Sequence, residues 1–290
     1  MLKRHKRNSQ AYLWMLPAFV IVSFSTVYPL IFSIDYSLWQ SKRFTKISFN
    51  WFNNYITLFQ DSRFWDSLAR TLYFAALGVI ITTVLGFILA LLLREGTRTN
   101  TIYRTIILIP WVTNEIAFSL MWAWVLNPQT SPLYYLSTQY GLILPNFLND
   151  PKYALTTLAI INGLRAVGFS LVMMLAAFAM IPKEIEQAAE VDGCYGLKNI
   201  WHIYIPMIKP VGMIVIIVLT ISYFNIIGLV LFITGGGPIR STELLSVRLY
   251  REGFTYFNIS LASTMTTIVL SINLVLAWIY KRMMNAETPY

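Results

Sequence analysis

The chain has 290 residues, of which 57% are hydrophobic and only 12% charged, and its mean hydropathy is positive at +0.59. No soluble fold hides that much apolar surface, so lipid must be the solvent for most of it. The formal charge of +9 invites a nucleic-acid reading, but basic residues flanking membrane spans explain it more cheaply. The single cysteine, Cys194, excludes an internal disulfide framework.

Bilayer hydrocarbon about 30 Å thick needs roughly 20 apolar residues per helix. Six stretches qualify in chain order: 12–38, 69–93, 105–126, 154–180, 208–233 and 260–280. The expected fold class is therefore an all-α membrane protein with six transmembrane helices. The first stretch follows Lys3, Arg4, His5, Lys6 and Arg7. It is longer than the core of a secretory signal and has no small-residue cleavage site, so it reads as an uncleaved helix. No linker or internal repeat is visible. The expected organisation is a basic amino terminus (1–11), one membrane domain (12–282) and a short tail (283–290).

Lysines and arginines in the connections set the orientation. Lys3, Arg4, Lys6 and Arg7 directly precede the first span, where they count most. They predict that both termini face the cytoplasm, together with the connections 94–104 and 182–209. Three longer connections, 40–68, 127–153 and 234–259, then lie outside. The last of these opens with Gly235-Gly236-Gly237-Pro238, a strong helix stop. Trp14, Trp39, Trp124, Tyr250 and Tyr280 sit near span ends, as interfacial aromatics do.

Catalytic chemistry finds no foothold. There is no G-x-x-x-x-G-K-[ST] phosphate loop. His5, His202 and one cysteine make no familiar zinc spacing, and no serine, histidine and carboxylate suggest a triad. The chain reads as a non-catalytic subunit with no cofactor or metal of its own and no nucleic-acid partner.

A polar island, 182–206, separates the fourth and fifth spans. Pro182 suits a first helical turn, and Glu184 and Glu186 sit where the helix dipole favours negative charge. Ile185, Ala188 and Ala189 fall at i, i+3 and i+4 on one face. Gly193 should break this helix, and a second, over about 196–204, should end at Pro206. Two short helices crossing at a glycine make a knob for a partner's cleft. The alternative is an amphipathic connector lying on lipid headgroups.

Two charges fall inside spans: Glu115 in the third and Arg165 in the fourth. An arginine at a helix centre costs at least about 2.5–3.5 kcal/mol, which makes it a functional candidate. A pore-facing arginine suits a sugar hydroxyl or an anionic group. Alternatively, the two charges pair and hold their helices together.

Within the polar island, Gln187-Ala188-Ala189 is followed after three residues by Gly193, and after nine more by Ile203-Tyr204-Ile205-Pro206. This resembles the cytoplasmic loop of ABC-importer permeases, E-A-A, three residues, G, nine residues, I-x-L-P. It departs from that pattern in Gln for the leading Glu and Ile for Leu. Asn54-Tyr55 with Leu58-Phe59, Ile109-Pro110 with Trp122, Thr234 through Pro238, and Tyr250 through Phe254 are similar to the sugar-importer branch, which includes maltose and glycerol-3-phosphate permeases. The resemblance runs from about 12 to 282.

The resemblance implies a multi-pass subunit of a bacterial-type inner membrane. Its partners would be a second homologous permease, two ATPase subunits that carry ATP and Mg, an external solute-binding protein, and lipid. It assigns coupling to the ATPase to Glu186, Gln187, Ala188, Ala189, Asp192, Gly193, Ile203 and Pro206. It assigns the substrate pathway to Arg165, Phe169, Ser222, Tyr223 and Asn225, to which intramembrane charge adds Glu115. The expected function is ATP-driven, binding-protein-dependent import of a sugar or sugar-like solute, anionic ones included because a related branch with a basic residue at the position of Arg165 carries glycerol-3-phosphate. The rival is a self-sufficient secondary transporter driven by an ion gradient, which needs paired ionisable groups and usually internal repeats. A non-transporting scaffold that recruits a soluble partner through the same loop is the third possibility.

Overall fold

The computed structural model describes residues 14–285. The basic residues Lys3 to Arg7, on which the predicted orientation rests, lie outside them, as does the tail beyond 285. Helix α1 spans Trp14–Ser37, and none of its most apolar stretch is buried, as befits a segment whose solvent is lipid. A hairpin follows, β1 Trp39–Lys42 and β2 Thr45–Phe49, antiparallel with Trp39 opposite Phe49. The two rings meet edge to face at 5.2 Å. Helix α2, Asn53–Gln60, anchors the hairpin. Its Asn54 amide donates to the carbonyls of Ser37 at 2.7 Å and Trp39 at 3.0 Å.

The remaining elements are α3 Ser62–Leu93, α4 Arg98–Val112, α5 Glu115–Val125, α6 Pro132–Gln139, α7 Ala154–Ala179 and α8 Lys183–Val191. They continue with α9 Leu197–Phe224, α10 Gly228–Ile233, α11 Leu245–Tyr250, a π-helical turn Arg251–Thr255 and α12 Ile259–Asn285. Among the described residues, 14–62 with 249–272 pack as one compact unit and 63–248 with 273–285 as another.

The architecture is an all-α membrane fold, with α1, α3, α7, α9 and α12 each long and apolar enough to cross a bilayer. A sixth span exists only if α4 and α5 count together, because they bend by 96°. The expected continuous helix over 105–126 is thus corrected to a broken one. Thr113 ends α4, and the Asn114 side chain accepts the Ile116 amide at 2.9 Å, capping a new helix. Pro110, inside α4, already withholds one ladder donor.

The fifth span is also displaced. Expected over 208–233, it runs from Leu197 to Phe224 as one helix. Pro206 does not end the helix before it, because a π-helical turn, Ile200–Tyr204, widens the register just ahead of the ring. The helix stops at Asn225, and 228–233 forms the separate α10.

Small residues let the second unit's helices close up, which replaces the hydrophobic effect where lipid is the solvent. A methyl on Gly86 of α3 would lie 2.2 Å from the Ser170 hydroxyl of α7, and one on Gly78 would lie 2.0 Å from the Tyr223 ring of α9. Gly168 of α7 admits the α4 backbone in the same way, its added methyl falling 3.0 Å from the Ile107 carbonyl. Phe74, Leu158, Ile161, Leu171, Val215 and Leu229 fill the interior between them.

Candidate functional site

The polar island folds as helix α8 followed by a tight reversal into α9. Pro182 holds the N-cap position, and Glu184 and Glu186 occupy the first turn. At the other end the amide of Cys194 reaches the Ala189 carbonyl at 2.8 Å and that of Gly193 reaches Glu190 at 3.1 Å. These two bonds form a Schellman closure, which needs a left-handed residue at its centre. Gly193 supplies it with φ +74°. Gly196, at φ 57° and ψ −122°, starts α9 from a region open in practice to glycine alone. Its role went unread in the sequence, although two glycines three apart between helices were visible.

Ala188, Gln187 and Asp192 are exposed, whereas Ala189 is buried at 7% exposure. The apolar face expected to point outward is therefore split. Ile203 is half-buried and Pro206 exposed. The loop also displays Val191, Tyr195, Leu197 and Trp201, exposed between 64% and 87%. Large apolar groups held out from a polar loop mark a surface that another body covers.

Glu186 turns toward its own chain. Its carboxylate meets the Arg94 guanidinium, just past the end of α3, at 2.7 Å. That guanidinium also lies over the Tyr204 ring, 4.7 Å from its centre. Burial pulls the Arg94 pKa down, but the Tyr204 hydroxyl and the Glu186 carboxylate outweigh it, and the net direction is upward.

The second cluster forms where α4 breaks. Glu115, the first residue of α5, accepts the Leu229 amide of α10 at 2.8 Å. It fits because Gly228 has no side chain: a methyl there would lie 2.5 Å from the Glu115 oxygen. Arg165 of α7 approaches the other Glu115 oxygen at 3.7 Å and donates to Asn162 at 3.3 Å. Phe169, one turn on, tilts against Trp111 at 5.7 Å. Ser222 and Asn225 are exposed at the end of α9. Tyr223 points the other way, 1% exposed, with its hydroxyl 2.6 Å from Thr82. Among the described residues, no three histidine, cysteine or acidic side chains gather as a metal site would require.

Residues 82–285 match the family described as the binding-protein-dependent transport system inner membrane component. The chain belongs to this family. It is a permease subunit, non-catalytic, of an ABC transporter in the inner membrane. Among its relatives, the probable ABC transporter permease protein YurN of Bacillus subtilis (strain 168) is 27% identical over 271 residues, 92% of each chain. The sn-glycerol-3-phosphate transport system permease protein UgpA of Rhizobium meliloti (strain 1021) is 25% identical over 228 residues, 78% of each. A chain of a bacterial alginate ABC transporter, solved with an alginate pentasaccharide-bound periplasmic protein, superposes with a TM-score of 0.84 at 20% identity, covering 100% of this permease and 98% of that chain. At that identity the likeness speaks for the fold of the permease alone.

Proposed function

We propose that this permease, over 12–282, lines one half of a pathway for a sugar-type solute, and that a second homologous permease lines the other. An external binding protein delivers the solute, and two ATPase subunits carrying ATP and Mg drive the cycle. Both termini and the α8 loop face the cytoplasm, where the exposed Val191, Leu197 and Trp201 and the outward Ala188 meet an ATPase. Closure of the ATPase pair displaces that loop. Rigid-body motion of the helices then opens the Glu115–Arg165 region alternately to either side.

The observation that carries the solute class is the state of Arg165. Its contact with Glu115 is 3.7 Å, well beyond the roughly 2.7–2.9 Å of a charge-assisted hydrogen bond. The guanidinium is held in place but not saturated, and it keeps donors for an incoming hydroxyl or anionic oxygen. Phe169 and Trp111 offer ring faces of the kind that sugar rings pack against. The relative named for sn-glycerol-3-phosphate favours a solute with hydroxyls and a negative charge. Ser222 and Asn225, exposed at the end of α9, complete the candidate pathway. Tyr223 is better explained as a link between α9 and α3.

The test is Arg165→Ala in the reconstituted complex. Uptake should vanish while the permease still co-purifies with its partners, and Arg165→Lys should recover part of it. Full transport by Arg165→Ala would remove this residue from the pathway.

A further inference from the structure

We infer that Arg94 is a positioning residue that locks the loop helix α8 to α3, with Glu186 and Tyr204 as its two anchors. The inference rests on the importer reading and adds a third route by which the loop acts on the membrane helices. Covalently, α8 joins only α7, through 180–182, and α9, through 192–196. Helix α3 ends at Leu93, and Arg94, the next residue, stands 92 positions before Glu186. Without a side-chain link, a displacement of α8 would reach α3 only secondhand.

Arg94 makes that link in a way few residues match. Its Nη1 meets the Glu186 carboxylate at 2.7 Å, and its guanidinium carbon lies over the Tyr204 ring, 4.7 Å from the ring centre. A guanidinium makes both contacts with donors in a fixed fork, where an ammonium offers only a compact point charge. The anchors are themselves fixed. Tyr204, 4% exposed, stands edge-on to Phe178 of α7 at 5.5 Å, and its hydroxyl accepts from the buried Asn199 at 3.2 Å. Phe178 in turn tilts against Phe87 of α3 at 5.9 Å. Arg104, not Arg94, donates to the last α3 carbonyl, Leu93, and to that of Glu95 just beyond it. Arg94 is thereby left to hold the loop, and the ends of α3, α7, α8 and α9 meet at one junction.

The experiment uses the whole complex in proteoliposomes and reads ATP hydrolysed per solute imported. Arg94→Met should still co-purify with the ATPase, yet raise that ratio at least about fivefold, the lower end of ordinary coupling between sites. Arg94→Lys should fall between the two. Glu186→Gln should raise the ratio in the same direction, and combining it with Arg94→Met should add little, because both remove one link. A wild-type ratio in Arg94→Met, or fully additive effects, would overturn the lock. Should Arg94→Met fail to assemble, Glu186→Gln decides alone, and a normal ratio there overturns it. A wild-type complex that imports without ATP defeats the importer reading itself, whatever Arg94 does.

Discussion

At Gly193 the spacing in the sequence gives an incomplete account of why a glycine stands there. The sequence suggests that bulk there would jam two crossing helices, but an added methyl meets nothing within 4 Å. The constraint is the backbone, held at φ +74°. A left-handed conformation costs an ordinary L-residue about 1–2 kcal/mol, and asparagine visits it more readily. Gly193→Asn should therefore keep most substrate-stimulated ATPase activity while Gly193→Val loses it; unchanged activity in the valine variant would remove this turn from transmission. Gly196→Ala should do more harm than Gly193→Ala, since alanine has no comfortable state near φ 57° and ψ −122°. Tyr223→Phe gives the opposite kind of outcome. It deletes the bond to Thr82, worth about 0.6 and at most about 1.7 kcal/mol within a membrane. The solubilised complex should melt slightly earlier with the uptake KM unchanged, and a raised KM would return Tyr223 to the pathway.

Among the elements, α1, α7 and α12 were legible because an apolar run of bilayer length has few other uses. The break between α4 and α5 was not, since one Thr-Asn pair inside an apolar run barely changes its average hydropathy. Its cause is local and chemical: Asn114 offers a cap, and Gly228 on a distant helix leaves room for Glu115 to cap α10. Asn114→Ala should remove about 0.5–2 kcal/mol of helix stability, seen as earlier thermal unfolding, and uptake should fall with it because Glu115 sits one residue on. Wild-type melting and uptake would mean that the bend is held elsewhere. The start of α9 is not legible because a proline reads as a stop, whereas the π turn before it makes the ring acceptable. The Arg94–Glu186 pair lay beyond any local pattern, since 92 positions separate its members.

For the whole molecule, the composition and the loop spacing together identified an integral membrane subunit, and the family match over 82–285 agrees. What the sequence leaves out is which apolar side chains of the loop stay exposed, as Val191, Leu197 and Trp201 do. Gentle solubilisation of a tagged chain should bring down an ATPase and a second permease. A chain that purifies alone and transports under an ion gradient would restore the rival reading. Helix α9, unbroken from the loop to Phe224, has a mechanical meaning here. Its 28 residues make a rod about 42 Å long, so a tilt of about 5° at the loop carries the far end roughly 4 Å. The π turn Ile200–Tyr204 and Pro206 both lie at the loop end of that rod. In the proposed cycle the displacement beside Asn225 is set by the length of that arm, and shortening α9 by one turn should reduce its reach in proportion.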